Sequence, residues 1–466
     1  MTSLVAGVDS STGATKVELV DAASGALVAS ARRPHAPTTP PVSEQDPESW
    51  WDALVQCFGE VAEHLPSVAA ISISGQQHGL VTLDANDVPV RPAKLWNDTT
   101  SAPQSQALIA RLGASEWAGR TGSVPGPSFT ITKLAWLAEN EPDSLGSVVR
   151  VGLPHDYLNL RLTGRWTTDR GDASGTGYWS PASASYVPEM LSVAGISPER
   201  IELPEVLAPF DVSGPVTAPD LLQLGVPATA VVAAGSGDNM SAALGLGLQA
   251  GDLVVSLGTS GTAYAVSESP TNDHEGLVAG FADASGRFLP LVCTLNATKV
   301  TETIRALLNV SFEELDELAL ASPQGANGVT LVPYFDGERT PNLPDATGSL
   351  VGLRTSTQRA DMARAAFEGV ACGLLDGVAA LESNGVTANG RFFLIGGGSK
   401  SLAYRTVFSS LTGREIIIPT SDETVARGAA VQAACALGSQ RPEDVGELWS
   451  LGAGEMFRAP DQIGAS

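Results

Sequence analysis

Two segments with the same layout, one in each half of the chain, constrain the fold more than any other feature. Residues 3–20 contain a short apolar strand, a turn of Asp, Ser, Thr and Gly at 9–13, and a return strand. Residues 252–266 repeat this layout with a turn at 257–261. Small residues let backbone N–H groups converge on an anion, so the two turns predict two anion-binding loops. Each turn taken alone is equally explained as an ordinary hairpin connection.

Helices and buried strands alternate after each of these openings, which is typical of α/β domains. Asp46 and Pro47 predict a helix start, and Ser311 with Glu314 predicts a capping box. Further helices are predicted at 240–248 and 361–381 and from near Ser421, and buried strands at 68–74, 148–151, 228–234, 391–395 and 414–418. We therefore predict an α/β fold with two domains, residues 1–240 and 241–466.

The charge balance limits the partners that this chain can bind. Its 27 basic and 51 acidic residues give a net charge of −24. Such a surface repels the phosphate backbone of nucleic acids and anionic membranes, so neither is an expected partner. A phosphate-bearing small ligand must instead be held by backbone N–H groups, a few local cations or a metal ion.

Cysteine spacing and hydropathy predict the cellular compartment. The four cysteines, at 57, 293, 372 and 435, form no CxxC pair, which fits a reducing environment. No run approaches the 18 consecutive apolar residues that a membrane-spanning helix needs. The first basic residue is Lys16, so a positively charged signal segment is not expected. We expect a cytoplasmic protein without a membrane span.

Two aspartates stand where predicted strands end. Asp9 lies beside the first loop, where a carboxylate next to a phosphate is favourable only if a cation such as Mg²⁺ lies between them. Asp238 follows an apolar strand and precedes a helix, a position from which it could accept a proton from a substrate hydroxyl. The alternatives are an Asx-turn residue at Asp9 and a helix N-cap at Asp238.

Other polar side chains and glycines also follow predicted strands. Gln77 and His78 suit hydrogen bonding to a polyhydroxylated ligand, and a neutral imidazole offers one donor and one acceptor. Trp96 adds an aromatic face on which a sugar could pack, and glycines 396–398 would admit a flat ligand such as adenine. A structural histidine and a plain strand-to-helix turn are the alternatives. The other four histidines have no metal-ligand spacing, and no GxSxG or HExxH occurs.

Longer motifs resemble one known family. SFTITKLAWLAEN (128–140) and GSLVGLRTSTQRADMARAAFE (348–368) resemble the two signatures of the FGGY family of carbohydrate kinases. Shorter segments also resemble the family and occur along the chain in the family's order: SGQQHG, LWND, GSGDN, SLGTSG, GERTP and IGGGS. The resemblance therefore covers nearly the whole chain from residue 7. The first loop departs from the family pattern D-x-G-T-[ST], because Ser11 replaces the first glycine and Gly13 follows the threonine.

The resemblance implies a sugar kinase–actin-like fold in which two domains close on a deep cleft. It implies ATP-dependent, Mg²⁺-assisted phosphorylation of a sugar or polyol, with Asp238 as general base and Asp9 organising the metal. The GQQHG and LWND segments favour D-xylulose, which would become D-xylulose 5-phosphate. Ribulose, gluconate or glycerol kinases and a non-enzymatic nucleotide switch are the alternatives, and a homodimer is left open.

The resemblance also assigns the other candidate site residues. The sugar would be bound by Gln77, His78, Trp96, Asp238 and Asn239. The ATP phosphates would be bound by Thr12, Gly13, Lys16, Gly258, Thr259, Ser260 and Gly261, and the adenosine by Gly397, Gly398 and Ser399.

Overall fold

The computed structural model describes residues 3–421, 423–438 and 440–460. In the first half of this part of the chain the elements are β1 (Leu4–Ser10), β2 (Ala14–Asp21), β3 (Leu27–Pro34), β4 (Glu44–Gln45), α1 (Pro47–Glu60), β5 (Val68–Gly75), β6 (Val81–Leu83), β7 (Ala93–Lys94), α2 (Ala102–Leu112), α3 (Ala114–Thr121), α4 (Thr130–Asn140), α5 (Pro142–Ser147), β8 (Arg150–Gly152), α6 (Pro154–Thr163), β9 (Thr167–Asp169), α7 (Arg170–Ala173), β10 (Trp179–Ser180), β11 (Ser185–Tyr186), α8 (Pro188–Val193), β12 (Glu205–Leu207), β13 (Val212–Pro215), α9 (Pro219–Leu224), β14 (Val231–Ala233), β15 (Ser236–Gly237) and α10 (Asp238–Gly245).

In the second half they are β16 (Leu253–Leu257), β17 (Gly261–Ala265), β18 (Ala279–Ala282), β19 (Phe288–Thr294), α11 (Thr298–Leu308), α12 (Phe312–Ala321), β20 (Thr330–Val332), β21 (Ser349–Val351), α13 (Arg359–Ser383), β22 (Phe392–Ile395), α14 (Leu402–Thr412), β23 (Ile416–Pro419), α15 (Thr424–Gly438), α16 (Pro442–Leu448) and β24 (Gly454–Phe457). Short 3₁₀ turns add Ala62–Ser67, Pro198–Arg200, Ala326–Gly328 and Gly397–Lys400.

The first sheet has the strand order β13-β14-β5-β1-β2-β3, and β15 extends it beside β5. Strand β1 pairs antiparallel with β2 and parallel with β5, which sets Asp9 opposite Lys16 on one side and Ser74 on the other. Strand β15 sets Gly237 opposite Gly75. The carboxyl ends of β1, β5 and β15 therefore meet at one edge of the sheet.

The second sheet repeats this centre, with the order β18-β19-β17-β16-β22-β23-β24. Strand β16 pairs antiparallel with β17 and parallel with β22, so that Ser256 lies opposite Ile395. The turns 257–261 and 396–399 therefore leave the same edge of this sheet. The two strand–turn–strand openings and the α/β class that they predicted are confirmed.

Local signals predicted several element ends. The carboxylate of Asp46 caps α1 by accepting from the N–H of Glu48, with Pro47 as the first helical residue. Ser311 and Glu314 form the predicted capping box of α12. Helix α10 begins at Asp238 and has Gly237 at the N-cap position, so Asp238 is not the cap. Among the residues that the structure describes, no helix is both long enough and apolar enough to cross a membrane.

Helix α15 joins the two halves of the chain. It belongs to the second half in sequence, yet Ala430 and Val431 are buried in one cluster with Val5 of β1 and Ala70 of β5. Its Gln432 accepts a hydrogen bond from Ser72 Oγ at 2.5 Å. The helix therefore packs on the first sheet. The boundary between residues 240 and 241 stays a prediction.

Glycines allow α15 to approach its neighbours. A Cβ on Gly428 would overlap the carbonyl oxygen of Ser241 in α10, and a Cβ on Gly245 would overlap that of Thr424. A Cβ on Gly7 in β1 would overlap the carbonyl oxygen of Ala426. Backbone thus packs directly on backbone where α10, α15 and β1 meet.

We expect Gly428→Ala to lower the melting temperature, because the added methyl group must push α10 and α15 apart. Overpacking of this kind costs about 1–3 kcal/mol. The matched control is Gly119→Ala in α3, where a Cβ would meet nothing within 4 Å. There alanine is expected to stabilise the helix by about 0.5–1 kcal/mol. Differential scanning calorimetry measures both, and equal melting temperatures for the two variants would contradict the close packing.

Candidate active site

The candidate site lies where β1, β5 and β15 end. Asp9 is the second-last residue of β1, Gln76 and His78 follow β5, and Asp238 follows β15. The register of the three strands brings these residues to the same edge of the sheet. Parallel α/β sheets bind their ligands at such carboxyl ends.

Asp9 is a buried carboxylate with one free oxygen. It is 4% exposed, and its Oδ1 has no hydrogen-bond partner. Its Oδ2 lies 3.6 Å from the Lys16 ammonium, which also contacts Glu423 at 2.6 Å. Burial raises the pKa of Asp9 to about 6, although the positive charge of Lys16 opposes the shift. A buried carboxylate oxygen without a partner fits a divalent cation or a water molecule bound to one.

The first loop is held by side-chain hydrogen bonds. Thr12 donates its hydroxyl hydrogen to Gln76 Oε1 at 2.9 Å and accepts from the Trp96 indole N–H at 2.9 Å. Ser11 bonds the carbonyl of Ala14 through both its N–H and its hydroxyl, at 3.0 and 3.1 Å. Serine at the position of the family's glycine therefore closes the hairpin. Gly13 is exposed, with open space around it.

Trp96 is placed beside this loop rather than in the core. Trp96 is 42% exposed, and its indole N–H donates a hydrogen bond to the Thr12 hydroxyl. The indole thus contacts the first loop while its ring remains open to a ligand.

Gln77, Asp238 and Asn239 form one hydrogen-bonded group. The Asn239 amide donates to Gln77 Oε1 at 2.8 Å and to Asp238 Oδ1 at 2.9 Å, and the Asn239 N–H bonds the same Asp238 oxygen at 2.7 Å. Gln77 is 4% exposed, and its Nε2 donor has no partner. A buried amide donor without a partner is costly unless a ligand satisfies it.

The acidity of Asp238 is reduced by its surroundings. Burial raises its pKa from 3.8 to about 7, and the negative charges of Asp9 and Asp172 act in the same direction. A carboxylate with a pKa near neutrality is suited to accept a proton in a reaction.

His78 has one nitrogen left for a ligand. Its Nδ1 lies 2.8 Å from the carbonyl oxygen of Gly175, which can only accept, so Nδ1 carries the proton. Its ring stacks on Phe129 at 5.0 Å and lies near Phe281 at 5.5 Å. Burial lowers the pKa of His78 to about 3, assisted by the positive charge of Lys133. The free Nε2 is therefore an acceptor alone, whereas the sequence predicted one donor and one acceptor for the ligand.

The second loop is tied to the start of α11. The carbonyl oxygen of Gly258 accepts from the N–H and hydroxyl of Thr298 at 3.0 and 2.8 Å, and that of Thr259 accepts from Ala297 at 3.2 Å. Thr259 and Ser260 are exposed, while Gly261 is buried as the first residue of β17. With its carbonyl oxygens bonded to α11, the loop can offer N–H groups to an anion.

The glycine turn after β22 packs against this loop. A Cβ on Gly398 would lie 2.8 Å from Leu257 Cβ and from Thr298 Cγ2. Ser399 is buried, with its hydroxyl bonded to the carbonyl of Gly396 at 2.7 Å. Gly397 alone of the three predicted adenosine residues is exposed with open space beside it.

Comparisons with known proteins identify the family of this chain. The model for the N-terminal domain of the FGGY family of carbohydrate kinases matches residues 4–245, and that for its C-terminal domain matches residues 253–437. The chain belongs to the FGGY family of carbohydrate kinases. The family expectation and the fold that it implied are confirmed, and the chain is a sugar phosphotransferase by family.

Named relatives cover nearly all of this FGGY kinase. A protein named xylulose kinase from Streptomyces rubiginosus is 46% identical over 460 residues, which span 98% of this chain and 93% of that protein. The crystal structure of xylulose kinase from Bifidobacterium adolescentis is 40% identical, with a TM-score of 0.87 over 96% of this chain and 99% of that one. A gluconate kinase structure from Lactobacillus acidophilus has a TM-score of 0.91 at 24% identity, over 98% and 94% of the two chains. The fold alone therefore does not select the sugar.

Two polar groups beside the site of this FGGY kinase had no role in the sequence analysis. His155 is surrounded by Asp156, Asp169 and Asp172 and is fully buried. No spacing rule indicated this, because Asp172 lies 17 residues further along the chain. Glu338, in the GERTP motif, accepts from Leu295 N at 2.6 Å. This hydrogen bond connects the loop that carries Glu338 to the segment just before α11.

We expect Gly398→Ala to lower the melting temperature by an amount that corresponds to about 1–3 kcal/mol, because the new methyl group collides with Leu257 and Thr298. Gly397→Ala is the matched control, since a Cβ there meets nothing within 4 Å. That variant is expected to keep its melting temperature while the KM for ATP rises. A Gly397 variant with unchanged ATP kinetics would remove this residue from the nucleotide site.

Proposed function

We propose that this FGGY kinase transfers the terminal phosphoryl group of ATP to the 5-hydroxyl of D-xylulose and releases D-xylulose 5-phosphate. The observation that carries the proposal is the 46% identity to a protein named xylulose kinase over 98% of the chain. The polar groups at the ends of β5 and β15 support it, because they provide separate donor and acceptor positions for a polyhydroxylated ketose.

The sugar is held by groups with complementary hydrogen-bonding roles. Gln77 Nε2, a buried donor without a protein partner, donates to the carbonyl oxygen of the ketose. His78 Nε2, which can only accept, receives the hydrogen of a neighbouring hydroxyl. A substrate without either group leaves a buried polar atom unpaired, which is a strong source of discrimination. Trp96 covers the sugar from the side of the first loop.

Asp238 acts as the general base of the transfer. Asn239 holds one of its oxygens through two hydrogen bonds, which leaves the other to accept the proton of the attacking hydroxyl. Phosphoryl transfer requires mainly positioning and charge stabilisation, so this orientation matters as much as the basicity.

The two loops hold ATP between the domains. The first loop contributes Thr12, Gly13 and the neighbouring Lys16, and the second contributes Gly258, Thr259, Ser260 and Gly261. Glycines 397 and 398, with Ser399, form the wall beside adenosine, with Gly397 as the member in direct contact. Asp9, whose Oδ1 lacks a protein partner, would hold Mg²⁺. When bound, Mg²⁺ supplies positive charge to the transferred phosphoryl group.

Location and assembly complete the proposal. The four cysteines are unpaired, which supports a reducing compartment, the cytoplasm.

Strand β3 lies at the edge of the first sheet, and its Leu27 and Val28 are 55% and 41% exposed. An exposed edge with apolar side chains supports pairing with a second copy, so we propose a homodimer. Light scattering after size-exclusion chromatography tests the assembly.

A coupled assay of ADP release tests the function. The substrates are D-xylulose, D-ribulose, gluconate and glycerol, each with ATP and Mg²⁺, and one reaction contains no sugar. The proposal predicts the highest kcat/KM for D-xylulose. A higher kcat/KM for another substrate would make that compound the proposed substrate instead. ATP turnover that no sugar stimulates would favour a nucleotide switch.

We expect Asp238→Asn to reduce kcat by about 10²–10⁴-fold, because the amide keeps the size of the side chain but cannot take the proton. In the unmodified enzyme kcat should fall as the pH drops below about 7, since protonation of Asp238 removes the base. Asp87→Asn is the matched control, because Asp87 lies in a turn with φ of 64°, which asparagine tolerates. A folded Asp238→Asn enzyme with near-normal kcat would exclude Asp238 as the base.

We expect His78→Asn to lower kcat/KM for D-xylulose at least roughly tenfold, about 1.4 kcal/mol of transition-state binding. Asparagine is the informative replacement because the backbone of His78 has a φ of 65°. The KM for ATP should change little, since the nucleotide loops lie elsewhere. Unchanged xylulose kinetics with weaker ATP binding would transfer His78 to the nucleotide site.

A further inference from the structure

A fully buried cluster of one imidazole and three carboxylates lies behind the sugar-binding residues. His155, in the first turn of α6, has its Nδ1 3.0 Å from Asp172 Oδ2. Its Nε2 lies 3.2 Å from Asp156 Oδ1 and 3.7 Å from Asp169 Oδ1. All four side chains are at most 1% exposed. Of these four side chains the mechanism derived above uses only Asp172, whose negative charge raises the pKa of Asp238.

His155 lies between two glycines that precede the site, with its backbone and Cβ facing Gly75 and its ring facing Gly235. A Cβ on Gly75 would lie 3.0 Å from His155 Cβ, and a Cβ on Gly235 would lie 2.6 Å from His155 Cδ2. Gly75 directly precedes the turn that carries Gln77 and His78, and Gly235 precedes β15 and Asp238. The backbone of His155 therefore limits the approach of the first turn, and its ring limits the approach of the second.

Asp172 connects the same cluster to His78. Its backbone carbonyl accepts from the N–H of Gly175 at 3.0 Å, and the Gly175 carbonyl accepts from His78 Nδ1 at 2.8 Å. The turn on which Asp172 lies thus fixes both the orientation of the His78 ring and the nitrogen that carries the proton.

The cluster combines one imidazole with three carboxyl groups whose pKa values are raised by burial, to about 7 for Asp156 and about 6 for Asp169. Burial lowers the pKa of His155, but Asp156, Asp172 and Asp169 outweigh burial and raise it to about 9. Three buried carboxylates without a positive partner would be strongly unfavourable. Tyr178 also faces the cluster, and Asp172 acts on Asp238 through its negative charge. His155 contacts all three carboxylates and is therefore their positive partner.

We propose that His155 and Asp172 are a positioning pair that holds the Gln77–His78 turn and the Asp238 turn in register for the sugar. The inference rests on the proposed function of the same site. Neither residue touches the substrate. The pair acts through the contact of the His155 ring with Gly235 and through the hydrogen bonds that connect Asp172 by way of Gly175 to His78.

Kinetics of His155→Gln and Asp172→Asn test the pair. We expect kcat/KM for D-xylulose to fall at least roughly tenfold in each, mainly through KM, with less than about a threefold change in the KM for ATP. The double variant should lose less than the product of the two single losses, because the residues act together. Thr163→Val is the control, since Thr163 donates a buried hydrogen bond to Asn159 O at the far end of α6. It should lower the melting temperature and leave the xylulose kinetics unchanged.

A spectroscopic measurement separates positioning from general destabilisation. The chain has five histidines, so histidine-selective ¹⁵N labelling gives few ring signals to resolve. In the unmodified enzyme His78 should show the Nδ1–H tautomer, and Asp172→Asn should shift that signal while Thr163→Val leaves it in place.

The outcomes are distinguishable. An Asp172→Asn enzyme with unchanged xylulose KM and unchanged His78 signal overturns the pair, even where His155→Gln fails to fold. A rise in the KM for ATP equal to the rise in the KM for D-xylulose in these variants also overturns the pair. An unmodified enzyme that ignores D-xylulose refutes the proposed substrate instead, and the His78 signal then still decides the pair.

Discussion

The contact between α10, α15 and β1 is the constraint on which the rest of the molecule depends. Because Gly7, Gly245 and Gly428 lack side chains, a helix from the second half packs directly on the first sheet. The same helix carries Gln432, whose amide donates to the carbonyl oxygen of Gly235 at 2.9 Å. Gly235 begins the turn that leads to Asp238. One interface thus joins the two halves and supports the turn that carries Asp238.

Sequence patterns predicted the parts of the fold that depend on local signals. The apolar strands beside each loop, the cap at Asp46 and the capping box at Ser311 all lie within a few residues of the feature they determine. The packing of α15 on the first sheet was not predictable. Gly428 permits another element to approach closely, but the sequence does not indicate which element that is. The short pairs such as β10 with β11, and the final strand β24, also depend on tertiary contacts.

The candidate site shows the same division. The meeting of Asp9, Gln77, His78 and Asp238 at one edge was predictable, because Asp9 lies near the end of β1, the other three follow strands, and parallel strands end at the same edge of a sheet. Their hydrogen-bonding roles were not, because these depend on distant partners. The Gly175 carbonyl that occupies His78 Nδ1 is 97 residues away, and the Gln77 amide oxygen is taken by a residue 162 positions further on.

Charge explains why the two loops that are proposed to hold ATP would bind it through backbone N–H groups. Lys16 is the only basic residue among the first 31, and its ammonium is already paired with Asp9 and Glu423. The site itself concentrates negative charge, since Asp9 and Asp172 both raise the pKa of Asp238. A polyphosphate brought beside these carboxylates would be repelled unless positive charge came with it. Backbone N–H groups supply only partial charges, so the remainder must come from the metal that accompanies the nucleotide. The same negative field that keeps Asp238 basic therefore makes the reaction depend on that cation.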